Sequence, residues 1–421
     1  MNRKLFPKPA PAEPLSLDVW LDRTDRAEVG REPFFRGRDD EYEIFQKAVK
    51  SLNDGHIGDG TMIFQGAPGA GKTALMGECM EAVRLHSSLD KPWVAVLIPP
   101  GSLRYPESVV AAMIEATNLE NERLLENVAD THSRWLKKAL NQGLQLFQEI
   151  QNRDISIQGM SVSKKQQSGG ADGLFRHASS LLKNYHFAIF VDEAQNVKQH
   201  DNTKDVLDCL HRQTQGIPLV TAFFGLSDTE DRLSECGLSR LPRGRVKTLG
   251  VLSHEETARA IKSVFDAYDF KGSSKNHEEW VNALSELSQG WPQHINSVSF
   301  AACQIIHEHQ GSLDEGLLPR ALELGRKLKN EYYVGRLRRC SEDPVVYRNL
   351  AVEAGKAPDE ALSRSRLRSL ISPLLEHSKT LDDFLSNALH AGVLMETEGL
   401  PKHYQTPIPS LGDYLRTLPV D

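Results

Sequence analysis

The sequence predicts an α/β fold built on a parallel sheet, followed by an all-helical segment and a small C-terminal module. Three observations lead there. Short, nearly continuous apolar runs of β type alternate with helical patterns between about residues 40 and 250. A glycine-rich loop ending in Lys-Thr directly follows the first run. An Asp-Glu pair closes the third. Strands that are apolar along their whole length belong to a sheet covered on both faces, which is the environment of a parallel sheet.

The strand runs come in order. They are Thr61–Phe64, Trp93–Ile98 stopped by Pro99-Pro100, Phe187–Val191, Leu219–Phe224, and a fifth candidate at Val246–Leu249. The stretch from about 102 to 186 is longer than a crossover needs and reads as an insertion. It carries a helical pattern around His132–Gln151, an alternating Ile155-Ser156-Ile157 and the polar run Ser163–Gly170. After Ser253 the β runs largely stop. Ser253-His254-Glu255-Glu256 is a capping-box pattern opening a helix to about Tyr268. Further helices are expected at 277–288, 293–309 and 315–333. From about 334 two helices, near 363–376 and 380–391, precede a hairpin between Met395 and Gln405, which suggests a winged-helix-like module. The expected division is a flexible Pro-rich leader over 1–33, the α/β domain over 34–252, a helical domain over 253–333 and the C-terminal module over 334–421.

The chain has 421 residues, with 50 Lys+Arg against 57 Asp+Glu and a net charge of −7. It is 39% hydrophobic and 25% charged, which excludes bulk disorder, collagen-like repeats and a small disulfide scaffold. The five cysteines, Cys79, Cys209, Cys236, Cys303 and Cys340, lie far apart without zinc spacing and read as reduced thiols of a cytoplasmic protein. No apolar run is long enough to span a bilayer, so no membrane partner is expected. Arg3, Lys4 and Lys8 are accompanied by Pro7, Pro9, Pro11 and Pro14 instead of an apolar core, so a signal peptide is not expected.

Gly66-Ala67-Pro68-Gly69-Ala70-Gly71-Lys72-Thr73 fits GxxxxGK[ST] between a strand and a helix that continues through Ala74. The glycines let backbone N–H groups turn inward around a polyanion, and the helix N-terminus adds partial positive charge. Lys72 then reaches the β- and γ-phosphates of ATP, and Thr73 offers a hydroxyl to Mg²⁺. Phe187–Val191 delivers Asp192 and Glu193 to the C-terminal edge of the sheet, where ligands of open α/β sheets bind. Asp192 is the second candidate Mg²⁺ residue, and Glu193 the group that orients and polarises the attacking water.

These residues resemble the AAA+ superfamily of P-loop ATPases, and within it the origin-recognition-like, STAND and transposition-helper types. Phe35-Arg36-Gly37-Arg38-Asp39-Asp40-Glu41 looks like the segment these families place against adenine, which brings in Phe35 and Arg38 as nucleotide-binding candidates. Asp192-Glu193-Ala194-Gln195 resembles their DEAQ version of the acidic motif. Phe223–Asp228 falls where the family has its γ-phosphate sensor, so the resemblance implies that role for Asp228 or Ser227. Leu238–Arg245 resembles the segment that offers an arginine finger to a neighbouring subunit, with Arg240 and Arg243 as first choices. Gly290-Trp291-Pro292-Gln293-His294 is similar to the lid's sensor-2 turn, with Gln293 standing where the family has Arg and His294 beside it.

The resemblance implies an enzyme that converts ATP and water to ADP and phosphate, works as a nucleotide-dependent oligomer and remodels a protein–DNA partner. Two other readings stand beside it: a STAND-like nucleotide-gated switch with little turnover, and a DNA-binding adaptor that holds ATP structurally. Arg364, Arg366 and Arg368 lie in one candidate helix of the tail, yet residues 331–421 carry 11 Lys/Arg against 13 Asp/Glu, a net of −2. DNA contact and protein contact through the tail both stay open.

Overall fold

The computed structural model describes residues 8–14, 16–22, 34–54, 60–88, 91–126, 170–212, 216–238, 241, 244–338, 346–350, 361–375, 380–397 and 403–418. The chain forms two compact units. One comprises Met1–Pro9, Asp39–Gln65 and Leu75–Lys247; the other comprises Ala10–Arg38, Gly66–Ala74 and Thr248–Asp421.

The first unit is built on the strands the sequence indicates: β1 (Thr61–Gln65), β2 (Trp93–Leu97), β3 (His186–Val191), β4 (Leu219–Gly225) and β5 (Val246–Thr248). Their order in the sheet is β2-β3-β4-β1-β5. β1 and β3 both pair in parallel with β4, and β2 pairs in parallel with β3. The register places Phe223 opposite Ile63 on one side and Val191 on the other, so β1 and β3 end at the same edge on either side of β4.

The period-2 alternation of a strand divides these apolar runs between two faces. Ile63, Ile189, Val191 and Phe223 enter one core. There they meet α4 (Pro106–Glu126), α5 (Gly170–Leu182) and α6 (Asp201–Arg212) through Val110, Met113, Phe175 and Leu207. The alternate residues face the other way. Phe64 stacks on Phe224 with centroids 5.1 Å apart, and Phe190 meets Phe45 of α2 (Asp39–Asn53) at 6.1 Å. Each such ring contributes roughly 1.5–3 kcal/mol by leaving water, which is why both strand faces are apolar. Helix α3 (Lys72–His86) follows the glycine-rich loop, and α7 (Thr229–Glu235) follows β4. The parts of the insertion around His132–Gln151, Ile155–Ile157 and the run 163–169 lie outside the described residues.

The second unit begins with a difference from the sequence expectation. Within the segment expected to be a flexible arm, Leu17–Asp22 forms a short helix, α1. Trp20 anchors it, packing edge-on to Phe34 and against Phe300 with both centroid distances 5.8 Å. Leu17 and Leu21 pack against the same core beside it, and a proline-rich composition does not reveal this seat. Helices α8 (His254–Ala267), α9 (Ser274–Ser288), α10 (Pro292–Glu308) and α11 (Leu318–Leu337) form a bundle around fully buried Trp280. The capping box is present: Ser253 Oγ accepts from the Glu256 N–H at 3.2 Å, and Glu256 Oε2 accepts from the Ser253 N–H at 2.9 Å.

The tail of this unit contains β6 (Leu362–Ser363), α12 (Arg364–Ile371), α13 (Leu381–Ala391), β7 (Met395–Glu396), β8 (His403–Gln405) and α14 (Pro409–Arg416). The three strands form an antiparallel sheet in the order β6-β8-β7. Among the described residues, no helix is long and apolar enough to cross a membrane.

Candidate nucleotide site

The candidate residues fall into two sets, one in each unit. The first is the glycine-rich loop between β1 and α3. Lys72 is buried, and its ammonium donates to the Gly66 and Ala67 carbonyls at 3.0 and 3.1 Å. The loop therefore already curls around the cation, and these neutral carbonyls are contacts that an anion can replace. Arg38, expected against the base, sits with φ 59 and donates from Nη2 to the Ala70 carbonyl at 3.0 Å and to the Gly250 carbonyl. Its guanidinium thus holds the shape of the loop. Phe35 is half-buried, and its carbonyl accepts from Arg36. Thr73 and Ala74 open α3 at the end of the loop.

Residues of the helical bundle and tail close on this loop. The Gln293 N–H donates to the Gly69 carbonyl at 3.2 Å, and the Tyr332 hydroxyl donates to the Pro68 carbonyl at 2.7 Å. Gly69 has φ +88, and a Cβ there would come within 2.8 Å of Tyr332 Oη and 3.0 Å of Gln293 Cβ. Gly69→Ala combines left-handed strain with overpacking and is expected to cost about 2–3 kcal/mol, seen as a lower thermal midpoint.

Gln293, where the family resemblance places arginine, contributes its backbone to the loop. His294 beside it is fully buried, with its ring edge-on to Tyr332 and Tyr333 at 5.5 and 5.2 Å. It is a packing residue. Desolvation, with a smaller push from nearby Lys329, holds its imidazole at about 3; a backbone contact with Ser288 opposes this weakly. Burial also lowers Lys329, to about 8, and its ammonium donates to the Leu287 carbonyl.

The pH consequence of His294 has a definite sign. The unfolded chain takes up a proton near pH 6.5, while the folded chain does not until about pH 3. Stability is therefore lost as the pH falls between those values. By pH 4 the loss attributable to His294 is on the order of 3 kcal/mol. His294→Phe is expected to show a smaller drop in thermal midpoint between pH 7 and pH 4 than the wild type, measured by circular dichroism.

The second set sits at the ends of β3 and β4. Asp192 follows Val191, and its Oδ1 accepts from the Glu193 N–H at 2.9 Å. Glu193 is exposed and left-handed, with φ 51 and ψ 40. Its carboxylate accepts from the Gln195 side chain, whose other end accepts from the Leu226 N–H at 3.0 Å. Asp228 lies at the start of α7. One of its oxygens accepts from Arg232 at 3.4 Å; the other is buried with no hydrogen-bond partner among the described residues. Ser227 is buried. Arg240 and Arg243, the arginine-finger candidates, lie outside the described residues. Arg245 of the same segment donates to the Ile44 carbonyl at 2.9 Å.

Three contacts escape sequence reading: the Gln195 bridge, the Tyr332 bond and the seat of Arg38. Tyr332 is 264 residues from Pro68, and nothing local to either residue signals the pairing.

No protein-family model and no curated protein matches the chain. Solved structures do. A Walker-type ATPase of Pyrococcus abyssi superposes with a TM-score of 0.53 at 14% identity, over 94% of this chain and 99% of that one. The ORC2 protein of Aeropyrum pernix gives 0.43 at 13% identity, over 93% and 98%. The RuvB Holliday junction branch migration motor of Thermotoga maritima gives 0.44 at 13%, over 95% and 100%. The first of these carries the comparison, and at such identity it bears on architecture alone. Together with the five-stranded sheet and the glycine-rich loop after β1, it shows that this chain has a P-loop α/β fold similar to that of the Pyrococcus abyssi protein.

Proposed function

We propose that the chain binds ATP with Mg²⁺ and hydrolyses it, using the energy as an oligomeric switch or remodeller of a protein–DNA partner. The observation that carries this reading is the loop itself: GxxxxGK[ST] between a buried strand and a helix, curled around the ammonium of Lys72. The residues fit the ligand. Gly69 keeps a left-handed turn that a side chain would obstruct, and Asp228 keeps a buried carboxylate oxygen without a partner among the described residues. The Pyrococcus abyssi protein of the same fold is a Walker-type ATPase, which is the activity proposed here.

Lys72 would neutralise the β- and γ-phosphates, and the N–H groups of Gly69–Ala74 would line them. Thr73 and Asp192 would hold Mg²⁺, which when bound neutralises charge on the phosphate oxygens. Glu193 would orient the attacking water and draw off its proton. Asp228 would face the γ-phosphate end, and Arg240 or Arg243 would complete a neighbour's site with a planar, permanent charge. Phe35 and Arg38 would border the base and the loop. The functional regions would be an α/β domain over 34–252, a lid over 253–333 and a winged-helix-like module over 334–421, the last being the place for DNA contact.

Steady-state ATPase across protein concentration, with and without duplex DNA, tests this. Turnover that rises faster than linearly with protein, and rises further with DNA, is the expected result. Absence of turnover in all conditions would overturn hydrolysis.

One observation favours a second reading, a nucleotide-gated switch. Gly392, where α13 ends with φ +73, lies so close to the loop that a Cβ there would come within 2.5 Å of Pro68 Cδ. Tyr332 holds the Pro68 carbonyl, and Tyr333 beside it shares a hydrogen bond of 2.6 Å with Ser410 of α14. Tail and loop are thus in mutual contact, so a nucleotide that shifts the loop must act on the tail. Tightly held nucleotide in the purified protein, with negligible turnover, is the result this reading expects.

A further inference from the structure

The Gln195 side chain bridges two points of the first unit that matter to the proposed chemistry. Its amide has one donating end and one accepting end. The Leu226 N–H, at 3.0 Å, fixes which end is oxygen. The NH₂ must then face Glu193, and it donates to Oε2 of that carboxylate. Gly225 makes the bridge possible. A Cβ at 225 would fall 2.6 Å from Gln195 Oε1 of the side-chain amide and 3.1 Å from the Gln195 backbone nitrogen. The backbone end is firm as well, because the Leu226 carbonyl accepts from Thr229 Oγ1 at 2.6 Å at the start of α7.

We propose that Gln195 is a positioning residue that aims the Glu193 carboxylate from the main chain of the β4–α7 turn. The proposal rests on the reading of Glu193 as the water-orienting group. Glu193 is exposed on a left-handed residue, so its side chain has no packing to fix its direction. One charge-assisted hydrogen bond from a group itself tied to the backbone supplies that direction. It occupies one carboxylate oxygen and leaves the other for water. The same turn carries Asp228, so Gln195 ties the Glu193 carboxylate to the turn that bears the sensor candidate. The role requires a donor: a group of the same shape without N–H cannot perform it.

The test compares Gln195→Ala and Gln195→Glu with the wild type in steady-state ATPase, alongside Glu193→Gln. Gln195→Glu keeps the shape and the bond to Leu226 but turns a carboxylate on Glu193. Both Gln195 variants are expected to lower kcat about tenfold or more with KM for ATP changed less than about twofold, since a misaimed group slows chemistry without weakening binding. Recovery of wild-type kcat in Gln195→Glu would show that only shape matters and would overturn the proposal. Unchanged kcat in both variants would also overturn it. Wild-type turnover in Glu193→Gln would instead remove the reading on which it rests, whatever Gln195 does. Because Gln195→Glu is isosteric, an unfolded Gln195→Ala protein would leave the decision to Gln195→Glu, checked by its thermal midpoint.

Discussion

Lys72→Ala is expected to abolish ATP binding, with affinity falling at least about a hundredfold. Lys72 is buried at 8% exposure, and its ammonium rests on two carbonyls of its own loop. Those bonds are the exchangeable part of the site. A phosphate oxygen offers full negative charge where the carbonyls offer a dipole, so the cation gains on transfer to the ligand. A hydrogen bond to a charged group is worth about 1.5–3 kcal/mol, and Lys72 is assigned contacts to two phosphates. The sum exceeds the 1.4 kcal/mol of a single tenfold step. Alanine also leaves the Gly66 and Ala67 carbonyls without their donor, so a modest fall in thermal midpoint should accompany the loss. A fluorescent-nucleotide titration measures the affinity, and wild-type affinity in the variant would remove Lys72 from the site.

Glu193→Gln should have the second large effect, in the opposite kinetic sense. Nucleotide affinity stays within about threefold of the wild type while kcat falls by roughly a thousandfold, the middle of the range for losing a general base. The amide preserves shape and can still meet the Gln195 side chain, but it cannot take a proton. The variant should therefore accumulate as a nucleotide-bound trap. Single-turnover hydrolysis with a binding control separates the two quantities. Equal loss of binding and turnover would mean that Glu193 contributes to affinity instead of chemistry.

Much of the scaffold behind these expectations was legible in the chain. The runs Thr61–Phe64, Phe187–Val191 and Leu219–Phe224 are apolar at consecutive positions because α2 covers one strand face and α4, α5 and α6 the other. The Ser253–Glu256 box was readable because both partners lie within one helical turn. The Thr380–Asp383 box at the start of α13 has the same local geometry with a shorter acid, and a search widened to Asp would have found it. The hairpin between Met395 and Gln405 was visible, but its third strand was not. Leu362–Ser363 is a two-residue strand whose only mark is its pairing with Tyr404 and His403.

The site divides along the same line. By itself the sequence determined the loop, the acidic pair and their placement at strand ends, since each depends on residue types that are adjacent in the chain. Tertiary structure decided how those groups are held. It brought Tyr332 and Gly392 to Pro68, seated Arg38 on the Ala70 carbonyl, and tied Glu193 through Gln195 to Leu226. It also made His294 a buried neutral ring between two tyrosines. The physical reason is range. A phosphate-binding turn is a property of eight consecutive residues and the helix they open. A hydrogen bond between residues far apart in the chain exists only after the core has fixed both backbones, and no local pattern records it.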